Sequence, residues 1–377
     1  MKIKPLVLAA LAVTCAATSA YAQGSSPQSS VTLYGLVDAG LSWINNQGGR
    51  STVKFDDAIA VPTFLGFRGN EDLGGGTSAI FDLEAQFTLV NGASIGNMFG
   101  RDAWVGLKNP RWGTLTLGNQ FDFMNDALTI SGNAPQVNSG GLYNYPAGPF
   151  QKLMLPYAAS PNGSADWDRT GQQSVANSVK YVTPTWGGLR LGAMYAFAGS
   201  ANTGNRAVSF GINYDQPTFG VGAAYTSVAY AASAWTDGTQ IPAETVRNWG
   251  LGGHYVMGLL TAVADFTTVR NTNNGAAVYQ ASIGGLYNFN QALSLGFAYT
   301  YLNGNRALDN NHANQLGASL NYAFSKRTMV YVSGVYQLAN KGANALFNGI
   351  YDGADLAGDS SSGRMQRILR IGMRSMF

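Results

Sequence analysis

From residue 31 onward the chain alternates apolar and polar side chains in runs of about nine to thirteen residues, each bounded by turn chemistry. The final run shows the rule: Leu369, Ile371, Met373 and Phe377 alternate with Arg370, Gly372, Arg374 and Met376. In the first run Leu33, Val37 and Leu41 alternate with Tyr34, Asp38 and Ser42. In the third, Phe81, Leu83, Ala85 and Phe87 alternate with Asp82, Glu84 and Gln86. A strand with this period has one apolar and one polar face. The pattern predicts strands near 31–43, 62–70, 77–89, 99–108 and 114–122, and, after a gap, near 177–184, 189–199, 206–215, 220–233, 245–256, 259–270, 277–288, 292–302, 314–324, 327–338 and 365–377. That is an all-β chain of about sixteen strands, an even number, as a single-chain bacterial barrel requires.

The connections alternate between short and long. Glu71 to Gly76, Asn109 to Gly113, Pro184 to Gly188, Gln216 to Gly220 and Ser325 to Arg327 are short, whereas 44–61, 123–176 and 339–364 are long. Short turns on one rim and longer loops on the other are the rhythm of a transmembrane antiparallel barrel, and a soluble sandwich has no reason to keep it. No window past the amino terminus approaches 18 apolar residues, and a mean hydropathy of −0.03 excludes a helical membrane bundle. In lipid each unpaired backbone N–H or C=O costs several kcal/mol, so a spanning sheet must close on itself. Only 11% of residues are charged, against roughly 25% in soluble domains. Aromatics near strand ends, among them Trp43, Trp249, Tyr255, Tyr287, Phe289 and Tyr301, suit interfacial girdles.

The amino terminus reads as an export signal. Lys2 and Lys4 precede a mostly apolar stretch from Leu6 to Ala17, and Ala20-Tyr21-Ala22 supplies a small-x-small cleavage site before Gln23. The expected organisation is a signal peptide over 1–22 and one barrel domain over 23–377. Cleavage removes two of 23 basic residues against 20 acidic ones, leaving a near-neutral chain. It also removes Cys15, the single cysteine, so no disulfide, thiolate metal site or thiol nucleophile is expected. Near-neutral charge without a basic run argues against nucleic acid as a partner.

The segment 123–176 is long, largely uncharged and rich in Gly, Pro, Asn and Ser. A loop of this length in a compact protein is usually functional. Folded inward, it would narrow a lumen that sixteen strands otherwise leave wide. Passive passage needs a wet, polar constriction whose width and field select solutes, and it needs no cofactor or metal. By alternation Asp38, Asp82, Glu84, Lys180, Arg190, Arg370 and Arg374 have lumen parity, with Tyr34 beside them.

Val31-Thr32-Leu33-Tyr34-Gly35-Leu36-Val37-Asp38-Ala39-Gly40 resembles the first strand of general-diffusion porins of β-proteobacterial and neisserial type. The resemblance continues through Gly66-Phe67-Arg68-Gly69-Asn70-Glu71-Asp72-Leu73-Gly74-Gly75-Gly76, Arg101-Asp102-Ala103-Trp104-Val105-Gly106-Leu107, Asn177-Ser178-Val179-Lys180-Tyr181 and the closing Ile371 to Phe377. It implies a sixteen-stranded barrel in the cell outer membrane, a homotrimer, a third external loop folded into the pore, and a terminal aromatic, Phe377, read by the barrel-assembly machinery. The surrounding partners would be the bilayer and lipopolysaccharide, and the cargo small polar solutes and ions. In that family wall arginines face loop carboxylates across the channel. Arg101 falls at one such wall position and Arg68 shares a strand face with the next, while Asp122 and Asp126 are the expected loop carboxylates. Three usually basic positions depart: Phe64, Asn119 and Ser174 stand there, with Arg169 as a candidate substitute in space. Fewer wall arginines imply a weaker field, an apolar patch at Phe64 and modest ion selectivity.

Other readings are weaker. A barrel hydrolase needs a Ser–His or Asp–His arrangement, and only His254, assigned to a strand, and His312, assigned to an external loop, are present. A substrate-specific channel or a surface-binding barrel using the long loops fits the same pattern. Gly74-Gly75-Gly76 lacks the Gly-Lys-Ser/Thr ending of a phosphate loop and reads as a turn. The acidic stretch from Asp352 to Asp359 reads as a solvated loop rather than a cation site.

Overall fold

The computed structural model describes residues 29–157, 166–198, 206–234, 238–348 and 361–377. The signal segment and the stretch from Asp352 to Asp359 lie outside them. The strands are β1 (Ser30–Gln47), β2 (Arg50–Asp57), β3 (Phe64–Gly74), β4 (Thr77–Gln86), β5 (Asp102–Asn109), β6 (Gly113–Phe121), β7 (Ser174–Val182), β8 (Leu189–Ala196), β9 (Arg206–Asp215) and β10 (Phe219–Tyr230). A two-residue pair in the next loop, β11 (Ser233–Ala234) and β12 (Gln240–Ile241), precedes β13 (Glu244–Met257), β14 (Leu260–Asn271), β15 (Ala277–Asn288), β16 (Leu293–Gly304), β17 (His312–Ala323), β18 (Thr328–Ala339) and β19 (Met365–Met376).

Each barrel strand pairs antiparallel with its neighbour, and β1 closes the ring against β19 from Leu36↔Met376 to Ile44↔Ile368. The other side of β1 is met by two strands in line: β2 pairs its upper half from Ala39 to Gln47 and β3 its lower half from Ser30 to Leu36. β2 and β3 therefore make one stave broken at residues 58–63, and the barrel has 16. This corrects the sequence expectation of a long loop over 44–61. β1 instead runs on to Gln47, turns through Gly48 and Gly49 at φ +57° and +92°, and returns as β2. Arg50 and Lys54 on the short returning strand obscured the alternation. His312 likewise begins β17 rather than lying in the loop before it.

The faces follow the alternation. Ile371 is 62% exposed on the outside, whereas Arg370 beside it is 0% exposed within. Val31, Leu33, Leu41, Leu369 and Met373 are likewise exposed on the lipid side. Trp43, Trp249 and Tyr301 face outward towards the long-loop rim, and Tyr255, Tyr287 and Phe289 towards the short-turn rim, as two interfacial girdles require. The seam is sealed at the last residue. Phe377 N–H donates to Gly35 O at 3.1 Å and Gly35 N–H to Phe377 O at 3.2 Å. The Phe377 ring covers Gly35, where a Cβ would collide with it.

Candidate channel constriction

In the connection between Phe121 and Ser174, the described residues 122–157 and 166–173 fold into the barrel. The connection starts with a π-helical turn at Asn125–Ile130, followed by 3₁₀ turns at Pro135–Asn138, Gly141–Asn144 and Gln151–Leu153. Between Asp126 and Lys152 it carries no charged side chain, so burying it against the wall strands no ion.

Inward-facing glycines let its backbone approach. The Phe123 ring lies over Gly192 and Gly211, Leu128 over Gly250, the Asn133 carbonyl over Gly252, the Asn138 carbonyl over Gly296, and the Ser139 carbonyl over Gly317. At Gly252, Gly296 and Gly317 an added Cβ would meet loop backbone rather than the end of a flexible side chain. Hydrogen bonds fix the same path. Phe123 N–H donates to Ser209 Oγ at 3.1 Å, Gln136 Nε2 to Ser282 Oγ at 3.0 Å, and Gln315 Nε2 to the Asn144 carbonyl at 2.9 Å. His254 Nδ1 lies 2.8 Å from Asn133 Oδ1. The loop thus follows the inside of β8 to β18 and reaches the break between β2 and β3, where Leu142 N–H donates to Ile59 O at 2.6 Å. Its returning limb is held by Asn248 Nδ2 on Trp167 O (2.7 Å) and Thr267 Oγ1 on Asp168 (2.8 Å). Phe150, Leu153, Leu155 and Trp167 form an apolar core inside the barrel with Val246, Val269, Val278 and Leu302.

The tip is locked by a buried ionic cluster. Arg370 lies between Asp38 and Asp56, its Nε donating to Tyr331 OH at 2.8 Å and its Nη1 to Ser42 Oγ at 3.2 Å. Tyr143 of the loop donates to Asp56, and Asp38 accepts from Ile59 N–H (2.8 Å), Ala60 N–H (2.9 Å) and Tyr331 OH (2.7 Å). Asp38 and Arg370 have the inward parity expected but do not line open water, which corrects that part of the reading. The loop tip covers them. Arg374, half-buried, lines the space below the tip with Tyr331 and Asn138.

A second group lies on β1, β3 and β4 and just before β5. Tyr34 OH sits 2.5 Å from Asp82 Oδ1 and 2.7 Å from Glu84 Oε1, and the exposed Arg68 stacks 3.6 Å above its ring. Arg101 is buried, with Nε 3.0 Å from Glu84 and Nη2 2.7 Å from Gln172 Oε1 of the loop. Its guanidinium covers Phe64 at 4.9 Å and Phe121 at 5.5 Å. Arg101 therefore pairs with a wall carboxylate, not with Asp122 or Asp126. Asp122 is closed off by Arg169 at 2.5 Å, both fully buried, and Asp126 takes Lys180 of the wall at 2.6 Å. Burial alone would lower the Arg169 pKa, but the Asp122 carboxylate together with Tyr230 and Tyr157 outweighs it and holds the guanidinium charged. Burial raises the Asp126 pKa, with Lys180 opposing. It also raises Asp166 and Asp168, and the Asp168 charge pushes Asp166 further.

Arg169 is thus a clamp within the loop and does not replace a wall arginine. The neutral departures have a shared local role: Asn119 Nδ2 (2.9 Å) and Ser174 Oγ (3.1 Å) both donate to the Gly100 carbonyl, next to Arg101. Arg190 pairs with Asp215 at 2.9 Å beside the loop's first turn. Sequence reading missed Tyr143, Tyr331, Asp56 and the wall glycines. Inward-parity glycines recurring in β8, β9, β13, β16 and β17 were the available signal.

A closed antiparallel barrel with an apolar exterior, a polar interior and a loop packed inside is a membrane diffusion channel. The profile of the Gram-negative porin family matches residues 8–342. An outer membrane porin protein 32 of Delftia acidovorans is 30% identical over 383 aligned residues, covering 98% of this chain and 99% of that one. An outer membrane porin of Bordetella pertussis is 26% identical over 309, covering 76% and 68%. Among solved structures an anion-selective porin from Comamonas acidovorans superposes with a TM-score of 0.73 at 21% identity, covering 93% of this chain and all of the other. The trimer form of OmpT from Vibrio cholerae gives 0.65 at 16%, with coverages of 93% and 99%. The chain belongs to the Gram-negative porin family and is a passive channel of the cell outer membrane.

Proposed function

We propose that this porin passes small polar solutes and ions with weak charge selectivity, along the sector lined by Tyr34, Phe64, Arg68, Asp82, Glu84 and Arg374. The observation that carries this is charge pairing. Arg101, Lys180, Arg169, Arg190 and Arg370 each hold a carboxylate within ion-pair distance. Of the sector's own cations, Arg68 stands opposite Asp82 in the ladder and Arg374 opposite Asp38, which Arg370 already holds. That leaves Arg374 as the one without a carboxylate of its own among the described residues. A paired charge contributes a dipole rather than a net field. Two free charges about 10 Å apart in water interact by only roughly 0.4 kcal/mol, so focusing by low-dielectric walls needs unpaired groups to act on. The reversal potential in a salt gradient should therefore lie near zero for the native protein. Phe64→Arg adds a wall cation without a carboxylate of its own and should move the potential towards anion preference. A strongly anion-selective native channel would sink the proposal, and an unmoved potential would place Phe64 away from the passage.

The barrel is proposed to work as a homotrimer, exported by cleavage after Ala22 and embedded among lipopolysaccharide. Passage requires no catalytic group, and neither His254 nor His312 is hydrogen-bonded to a serine or carboxylate among the described residues. Phe377 is proposed as the contact for the assembly machinery, and its seat on Gly35 also seals the seam. Deleting Phe377 should cut the yield of folded barrel in the outer membrane severalfold while leaving the conductance of inserted channels near native. Equal yields would show that the residue is dispensable for assembly.

A further inference from the structure

One pair of charges faces the wrong way for a pore. Arg247 of β13 and Arg270 of β14 stand directly opposite each other in the ladder, both exposed on the lipid side near the long-loop rim. Like charges opposite each other in an antiparallel pair have Cβ atoms about 5 Å apart and destabilise the sheet. Among the described residues neither makes an ion pair or hydrogen bond. Their outward neighbours in the same row, Val208, Ser227 and Ala277, are uncharged. The row below runs Phe210, Tyr225, Trp249, Thr268, Tyr279, which is a stretch of the upper aromatic girdle. Two residues along a strand span about 7 Å, so the arginines sit just outside the girdle, at headgroup depth.

We propose that Arg247 and Arg270 together clamp the phosphate of an outer-leaflet glycolipid whose acyl chains lie along the aromatic row. The inference rests on the outer-membrane reading and gives it a specific lipid contact. Two guanidinium forks fit the oxygens of one phosphate, and the anion between them replaces mutual repulsion by charge-assisted hydrogen bonds. At the edge of the hydrocarbon the dielectric is below that of water, which strengthens those bonds. The Ser227 hydroxyl beside Arg247 offers a further donor.

Native mass spectrometry of the purified, detergent-solubilised porin titrated with diphosphoryl lipid A tests this. Arg247→Ala/Arg270→Ala should lower lipid A retention about tenfold, equivalent to about 1.4 kcal/mol. Arg247→Lys/Arg270→Lys, which keeps the charge without the fork, should retain an intermediate share. Equal retention by the alanine variant, or undiminished binding of the dephosphorylated lipid, would overturn the proposal. Displacement of lipid A by inorganic phosphate alone would mean a free-anion site, and dissociation of an oligomer in the alanine variant a subunit contact; either refutes it. Single-channel conductance in phosphatidylcholine should stay native in both variants, so the channel reading stands or falls separately.

Discussion

Gly296→Val should raise single-channel conductance by about twofold or more and make the current noisier, because the inserted loop loses its seat. A Cβ at 296 would fall within the Asn138 carbonyl, with Asn138 Cβ only 3.1 Å away. Overpacking of this kind costs about 1–3 kcal/mol when neighbours can shift. The wall cannot give way, since β16 is paired on both sides over its length. The loop is the yielding partner. Its hold nearby is a few side-chain hydrogen bonds, such as Gln136 to Ser282, each worth about 1 kcal/mol. Gly317→Val should act in the same direction through the Ser139 carbonyl and the Asn144 amide. Gly334→Val is the control: it lies on the outer, lipid face of the same barrel, opposite Leu369, and a Cβ there meets nothing nearer than 3.6 Å and no part of the loop. Planar-bilayer recording of all three decides the matter. Native conductance in Gly296→Val would mean that the loop at Asn138 does not limit the passage.

This explains what could be read from the sequence and what could not. Strand faces were legible because period-two alternation is a local property: Leu369 and Ile371 against Arg370 needs only a few neighbouring residues. The turn at Gly74-Gly75-Gly76 was legible for the same reason, and all three glycines adopt φ near +60° to +80°. Burial was not legible, because parity says that Arg370 points inward and not that a loop lies over it. That depends on Tyr143, more than two hundred residues earlier in the chain, reaching Asp56 beside it. The ion pairs were illegible likewise. Asp122 and Asp126 are close in sequence, yet one is held by Arg169 of the returning limb and the other by Lys180 of the wall. The hairpin at Gln47 to Arg50 was missed because a long loop and a strand–turn–strand with a polar second arm look alike without pairing partners.

Arg370→Met should loosen the tip of the same loop by an electrostatic route and lower the thermal stability of the folded barrel. The guanidinium is fully buried and is the counter-ion shared by Asp38 and Asp56, themselves 0% and 2% exposed. Removing one partner of a buried pair typically costs about 3–5 kcal/mol, because the remaining charge has neither water nor counter-ion. Methionine fills most of the volume, so the penalty is one of charge and not of a cavity. The cheapest relief is water reaching the carboxylates, and the nearest lid is the segment carrying Tyr143, whose hydroxyl is itself bonded to Asp56. Conductance should therefore rise and show frequent flicker. Adding Asp56→Asn to Arg370→Met should recover part of the thermal midpoint, since one stranded carboxylate goes. It should not restore the native conductance, because Tyr143 loses its anionic acceptor at the same time. Unfolding midpoints and single-channel records of the two variants separate these effects. If Arg370→Met kept both the native midpoint and a quiet native current, the buried cluster would be an incidental feature of the wall rather than the lock on the loop.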